Sequence, residues 1–159
     1  MSASMSNVVT TGALTTNAVR RVFAAIAILA LAGIVVSSLS LHHHYGTSQT
    51  TYCDFGANFN CDIVNRSIYS TILGVPDALV GVLGYAGLLA LATVYRAKAE
   101  APAMLLIGSV AGLSFALYLT YIEAFVLATW CILCLSSLAL IVLITGLSSF
   151  LVASAIRRS

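Results

Sequence analysis

Four cysteines are the residues of this chain whose type and spacing could do chemistry. Cys131 and Cys134 stand as Cys-Ile-Leu-Cys inside a long apolar run, and Cys53 and Cys61 lie in a polar stretch with seven residues between them. At a helix start, two cysteines three apart in sequence share one face. The unpaired N–H groups of the first turn favour the thiolate, which is the reactive form. That placement puts Cys131 nearer water and Cys134 about one turn deeper, toward lipid and any lipid-soluble acceptor. Cys53 and Cys61 can bond across a small loop, and a loop pair can swing to the membrane pair and exchange disulfides. One reading is therefore a relay of electrons between water-exposed protein thiols and something dissolved in lipid. Structural disulfides are another, although a Cys131–Cys134 bridge closes too short a loop to staple much. A zinc site assisted by His42-His43-His44 and inert small residues in a packed helix complete the set.

The elements that must position these cysteines are membrane helices. The chain has 159 residues, 60% hydrophobic and 8% charged, with a formal charge of +2. A soluble domain carries about 25% charged residues, and a chain this short has too little interior to hide so much apolar surface. The small net charge argues against nucleic acid, which needs a dense basic patch. Residues 1–19 read as a disordered tail, rich in Ser, Thr and Asn. After Arg20-Arg21, Val22–Leu41 is long enough to cross the hydrocarbon. Its outline overlaps that of a secretory or twin-arginine signal, but the apolar run fills a whole span. The polar stretch follows, and then Val64, Ile68 and Ile72 recur at helical spacing. This predicts a short amphipathic helix over Ile63–Leu73, lying at the interface.

Gly74-Val75-Pro76 marks a break, with Asp77 in the first turn of a second span over Val75–Tyr95. Gly81, Gly84 and Gly87 there, and Gly108 and Gly112 on the third span, let neighbouring helices approach closely. Ala103–Val152 holds one charge, Glu123. As one helix it would be about 75 Å long at 1.5 Å per residue, so it must fold back. Glu123 and Thr129-Trp130 mark the bend at Ala124–Thr129, giving spans Ala103–Glu123 and Trp130–Val152. The fold class is thus all-α, a four-transmembrane-helix bundle with an extracytoplasmic loop and a short amphipathic lid helix between spans 1 and 2. The membrane domain covers residues 20–153, and a basic cytoplasmic tail covers 154–159. With four spans, Arg20, Arg21, Arg96, Lys98, Arg157 and Arg158 share one side and Arg66 the other. Basic flanks stay cytoplasmic, so both termini are expected inside and both cysteine pairs outside, where disulfides persist.

Cys53-Asp54-Phe55-Gly56 with Cys61, then Ser67, then Gly74-Val75-Pro76, then Trp130-Cys131-Ile132-Leu133-Cys134, together resemble the vitamin K epoxide reductase family from about Arg20 to Val152. Gly-Val-Pro looks like the bacterial branch, whose members reoxidise periplasmic thiol oxidases. The resemblance implies a thiol:quinone oxidoreductase of the bacterial inner membrane that supports disulfide formation. It implies Cys131–Cys134 as the centre that meets the quinone, with Cys134 adjacent to it. Cys53 would take electrons from the partner and Cys61 would exchange with Cys131. Ser67 is implied as supporting. The Ile63–Leu73 helix resembles the lid, and Tyr69, Asp77 and Leu138 are the implied quinone contacts. The acceptor would be a quinone of ubiquinone or menaquinone type, with no metal. The partner would be a separate thioredoxin-like, DsbA-like protein in the periplasm. Vertebrate members carry asparagine at the position of Asp77 and tyrosine at that of Leu138. Both are linked to head-group recognition, and quinone reduction itself needs neither. Epoxide or quinone reduction for another pathway, and a non-catalytic membrane protein with structural disulfides, are the alternative functions.

Overall fold

The computed structural model describes residues 2–46, 59–72 and 74–157. Its elements are α1 (Ser2–Tyr45), α2 (Cys61–Asn65), a 3-10 turn (Ile68–Ser70), β1 (Thr71–Ile72), β2 (Val75–Pro76), α3 (Asp77–Thr93), α4 (Ala101–Ile122), a π turn (Glu123–Leu127) and α5 (Ile132–Ile156). Three apolar stretches, Thr16–Tyr45, Ala101–Leu127 and Ile132–Ile156, are long enough to cross a membrane. The fourth, α3, has 17 residues and is about 25 Å long at 1.5 Å per residue, the lower end of what a span needs. The protein is an all-helical integral membrane protein.

Helix α1 packs on α3 and α5, and α4 packs on α5 and α3. Phe23, Ile26, Tyr85, Leu88, Leu105, Ile141 and Ile144 fill the interior. Ile28, Leu83, Ile107, Phe125 and Leu143 point outward and are more than half exposed. So many large apolar side chains on an outer surface fit a hydrocarbon solvent and not water. Small residues set the closest approaches. A Cβ at Gly33 would collide with the Tyr85 ring, and one at Gly81 would fall 2.7 Å from Ser37 Oγ. The Tyr85 hydroxyl donates to Ser137 O at 2.8 Å and ties α3 to α5.

Three boundaries differ from those the sequence predicts. The stretch before Arg20, expected as a tail, continues α1 back to Ser2. It contains no proline, and extending an existing helix costs far less than nucleating one. The amphipathic helix expected over Ile63–Leu73 is α-helical only at Cys61–Asn65 and is followed by a single 3-10 turn at Ile68–Ser70. Ser67 turns extended (φ −67°, ψ 158°), and its hydroxyl donates back to Val64 O at 2.9 Å. Ser70 Oγ donates to Asn65 O at 2.8 Å. Serine hydroxyls of this kind compete with helical carbonyl pairing and end the helix. Val75 and Pro76, expected in the second span, instead pair with Ile72 and Thr71 in a two-stranded antiparallel turn. Gly74 makes that turn at φ +82°.

The fold-back between α4 and α5 lies where expected. The π turn ends at Ala128, which takes a left-handed φ of 48°, a conformation that usually falls to glycine. The N–H groups of Ala128 and Thr129 both donate to Glu123 O. The chain then becomes extended at Cys131 and enters α5.

Candidate active site

Cys131 caps α5 and Cys134 lies in its first turn. Both are free thiols. Cys61 begins α2 and is disulfide-bonded, while Cys53 lies outside the described residues. A parallel bridge joins Phe59 to Trp130, with Asn60 N–H donating to Trp130 O at 3.1 Å. That pairing is why the polar stretch and the Cys-x-x-Cys segment meet although about 70 residues separate them in the chain. As a result Cys61, Val64 and Cys131 form one buried cluster, with Leu127, Leu133 and Cys134 packed against it.

The two thiols differ in setting. Cys131 is fully buried beneath α2, and Cys134 is half-buried. The sequence places Cys131 nearer water; in the structure, the α2 side chains cover it. The Cys131 thiol is held below its ordinary value, chiefly by a hydrogen bond with the Cys134 thiol. Backbone N–H groups of Cys134 and Leu133 act the same way, while burial and the Glu123 carboxyl oppose them. Cys131 therefore has the greater thiolate character of the two-thiol unit, in line with a helix start.

Cys134 forms part of the wall of a cavity of about 450 Å3 between α1, α3, α4 and α5. The wall is largely apolar, including Val36, Leu88, Phe115, Leu119 and Ile141, with Ser37, Ser40, Asp77, Tyr85 and Ser137 as its polar members. This size and composition suit a small, largely apolar ring compound with a few polar atoms. Gly84 faces the cavity, and a Cβ there would meet nothing within 4 Å. The glycine therefore leaves open volume in the cavity in place of the close helix contact expected of it.

The other expected site residues fall at different distances from this centre. Asp77 starts α3, accepts the Ala78 N–H at 2.7 Å and lines the cavity. Ser67 and Tyr69 line a separate small cleft with Ser70, Asp77, Leu119 and Glu123. Leu138 packs against the main core and is not on the cavity wall. Among the described residues no three His, Cys, Asp or Glu side chains converge as metal ligands would.

Two residues have larger roles than the sequence suggests. Glu123, expected only as a turn marker, is 1% exposed, and its Oε2 accepts the Cys131 N–H at 3.1 Å. The signal was present, because a lone charge in a long apolar run is costly and is seldom idle. Asn65, off the amphipathic face, is buried. Ser40 Oγ donates to its Oδ1 at 2.6 Å, and its Nδ2 lies 4.0 Å from Cys131 Sγ. His44 Nδ1 also contacts its backbone oxygen. Helix α1 overshoots the other spans, and so it brings Ser40 and His44 to α2. No local pattern encodes that contact.

A buried Cys-x-x-Cys pair, a disulfide-bonded cysteine packed on it and an apolar cavity beside it describe a thiol centre that can pass electrons into lipid. Residues 24–149, most of the chain, match the Vitamin K epoxide reductase family. The protein belongs to that family of quinone-reducing, membrane-embedded thiol oxidoreductases.

Proposed function

We propose that the protein oxidises a thioredoxin-like partner on the outer side of the membrane and delivers the electrons to a membrane quinone. The observation that carries this reading is the position of the Cys-x-x-Cys pair, with Cys61 packed against Cys131 on one side and the cavity beside Cys134 on the other. The partner's two thiols reduce the Cys53–Cys61 disulfide. The resulting loop dithiol reduces the Cys131–Cys134 disulfide through a Cys61–Cys131 mixed disulfide. The Cys131–Cys134 dithiol then gives two electrons and two protons to the quinone, forming hydroquinone and restoring the disulfide. Each step moves one electron pair, and no thiol is left over.

The orientation follows from charge. The path of the chain puts Arg20, Arg21, Arg96, Lys98 and Arg157 at one end of the bundle and Arg66 at the end with the cysteines. Basic residues remain cytoplasmic, so the cysteine end faces outward, as a periplasmic donor requires. Asp77 and Tyr85 are the polar groups of the cavity best suited to a quinone oxygen.

The test is quinone-dependent oxidation of a thioredoxin-like protein by the purified enzyme, with each cysteine changed in turn. Cys134→Ala should abolish quinone reduction. Cys53→Ala should trap a Cys61–Cys131 bridge, detectable by non-reducing peptide mapping. Normal quinone reduction by Cys134→Ala would sink the scheme, and absence of the trapped bridge would sink the order of its steps.

A further inference from the structure

Among the described residues, Glu123 is the buried carboxyl that touches the thiol pair. It lies in the π turn, 1% exposed, and its Oε2 accepts the Cys131 N–H at 3.1 Å. Its Oε1 is buried with no hydrogen-bond partner, and the Cys134 thiol, in the first turn of the helix that Cys131 caps, is within electrostatic reach of the carboxyl. An unpartnered buried carboxyl oxygen is costly, so a packing role alone does not account for it. Glu123 follows the fully buried Leu105 by about five α-helical turns, so it continues the buried face of α4, and the single π turn that begins at it is of a kind that recurs at functional sites.

Oxidation of the dithiol poses a proton problem. Closing the Cys131–Cys134 bond releases two electrons and two protons, and the quinone takes up both kinds. Cys131 is sealed from water by α2, so a proton leaving the pair needs an internal acceptor with a free lone pair. We propose that Glu123 is that acceptor: its Oε1 takes the proton from the Cys134 thiol as the disulfide closes and releases it into the small cleft beside it. Ser67, Ser70, Tyr69 and Asp77 line that cleft. Asp77 also lines the large cavity, so the cleft leads toward the place where the quinone oxygens must be protonated. The groups facing Glu123 are Cys131 and Cys134 from α5, Asp77 from α3 and Tyr69 from the lid, with His44 of α1 beside Asp77.

The inference rests on the proposed direction of electron flow, but its test bypasses the protein partner. Dithiothreitol serves as donor, a short-chain quinone as acceptor, and the initial rate is followed across pH. A carboxylate acceptor must be ionised, so the wild-type rate should rise with pH through one ionisation and then level. Glu123→Gln keeps an oxygen for the Cys131 N–H but cannot take a proton. It should lower kcat by about 100-fold and lose that rising limb, with KM for quinone little changed. Glu123→Asp should restore part of the rate and show a limb at a displaced pH. A Glu123→Gln enzyme with wild-type kcat and pH profile overturns the inference. Should that variant not fold, as judged by helical circular dichroism, Glu123→Asp decides. A displaced limb supports the role, and a profile superimposable on wild type overturns it. If dithiothreitol drives the wild type but a thioredoxin-like protein does not, the partner assignment fails while the comparison of Glu123 variants still decides this one.

Discussion

The two sulfurs of the Cys-x-x-Cys pair are chemically unequal because of named neighbours, and this inequality can be measured. The Cys134 thiol is the chief cause of the low Cys131 value, and the Glu123 carboxyl pushes the other way. Removing each should therefore move Cys131 in opposite directions. In Cys134→Ala the pH midpoint for alkylation of Cys131 should rise, and less thiolate should be present at neutral pH. In Glu123→Gln, with Cys134 intact and the pair reduced, the midpoint should fall, because a like charge beside the thiolate has been removed. A small membrane-permeant alkylating agent followed across pH by mass spectrometry checks both signs. The Cys-x-x-Cys pair was legible in the sequence as a candidate redox pair, and the structure packs Cys61 against it. The partners that tune them were less so. Glu123 announced itself only as an isolated charge. Asn65 gave no sign, because its contacts with Ser40 and Cys131 span 25 and 66 residues.

Among the elements, α1 and α3 meet where side chains are smallest, and the cavity opens where they part. Gly33 presses on the Tyr85 ring, whereas Gly84 faces open space. The same substitution should therefore have different effects at the two positions. Gly33→Ala should push the Tyr85 ring aside, strain its bond to Ser137 and destabilise the bundle by about 1–3 kcal/mol, seen as a lower Tm in detergent. Gly84→Ala should leave Tm near wild type but narrow the cavity, raising KM for quinone by up to about tenfold. Sequence spacing identified both the glycine-rich face of α3 and the four apolar runs, because hydrocarbon thickness dictates helix length. It could not separate a glycine that admits a helix from one that leaves room for a ligand. The lid was misjudged in extent for a related reason. The apolar period continues past Asn65, but the hydroxyls of Ser67 and Ser70 turn back onto Val64 O and Asn65 O and break the helix.

At the scale of the whole molecule, membership of the Vitamin K epoxide reductase family and the apolar spans describe the same object from two sides. One supplies the chemistry and the other the solvent. The order of spans, the fold-back near Ala128 and the end of the bundle that carries the cysteines were all legible, since composition and charge fix them. The bridge between Phe59 and Trp130 was not, because two residues paired across so long a stretch leave no local pattern. That bridge has a kinetic consequence. It holds Cys61 beside Cys131 within one chain, so the disulfide exchange proposed between loop and membrane pair would be a unimolecular event at a high effective concentration. Its rate should not change when the enzyme is diluted about tenfold in detergent or lipid. A Cys61→Ala chain and a Cys131→Ala chain, mixed in one vesicle, should not restore each other's activity. Recovery on mixing would mean that electrons can hop between neighbouring copies, and that a single chain is not the whole circuit.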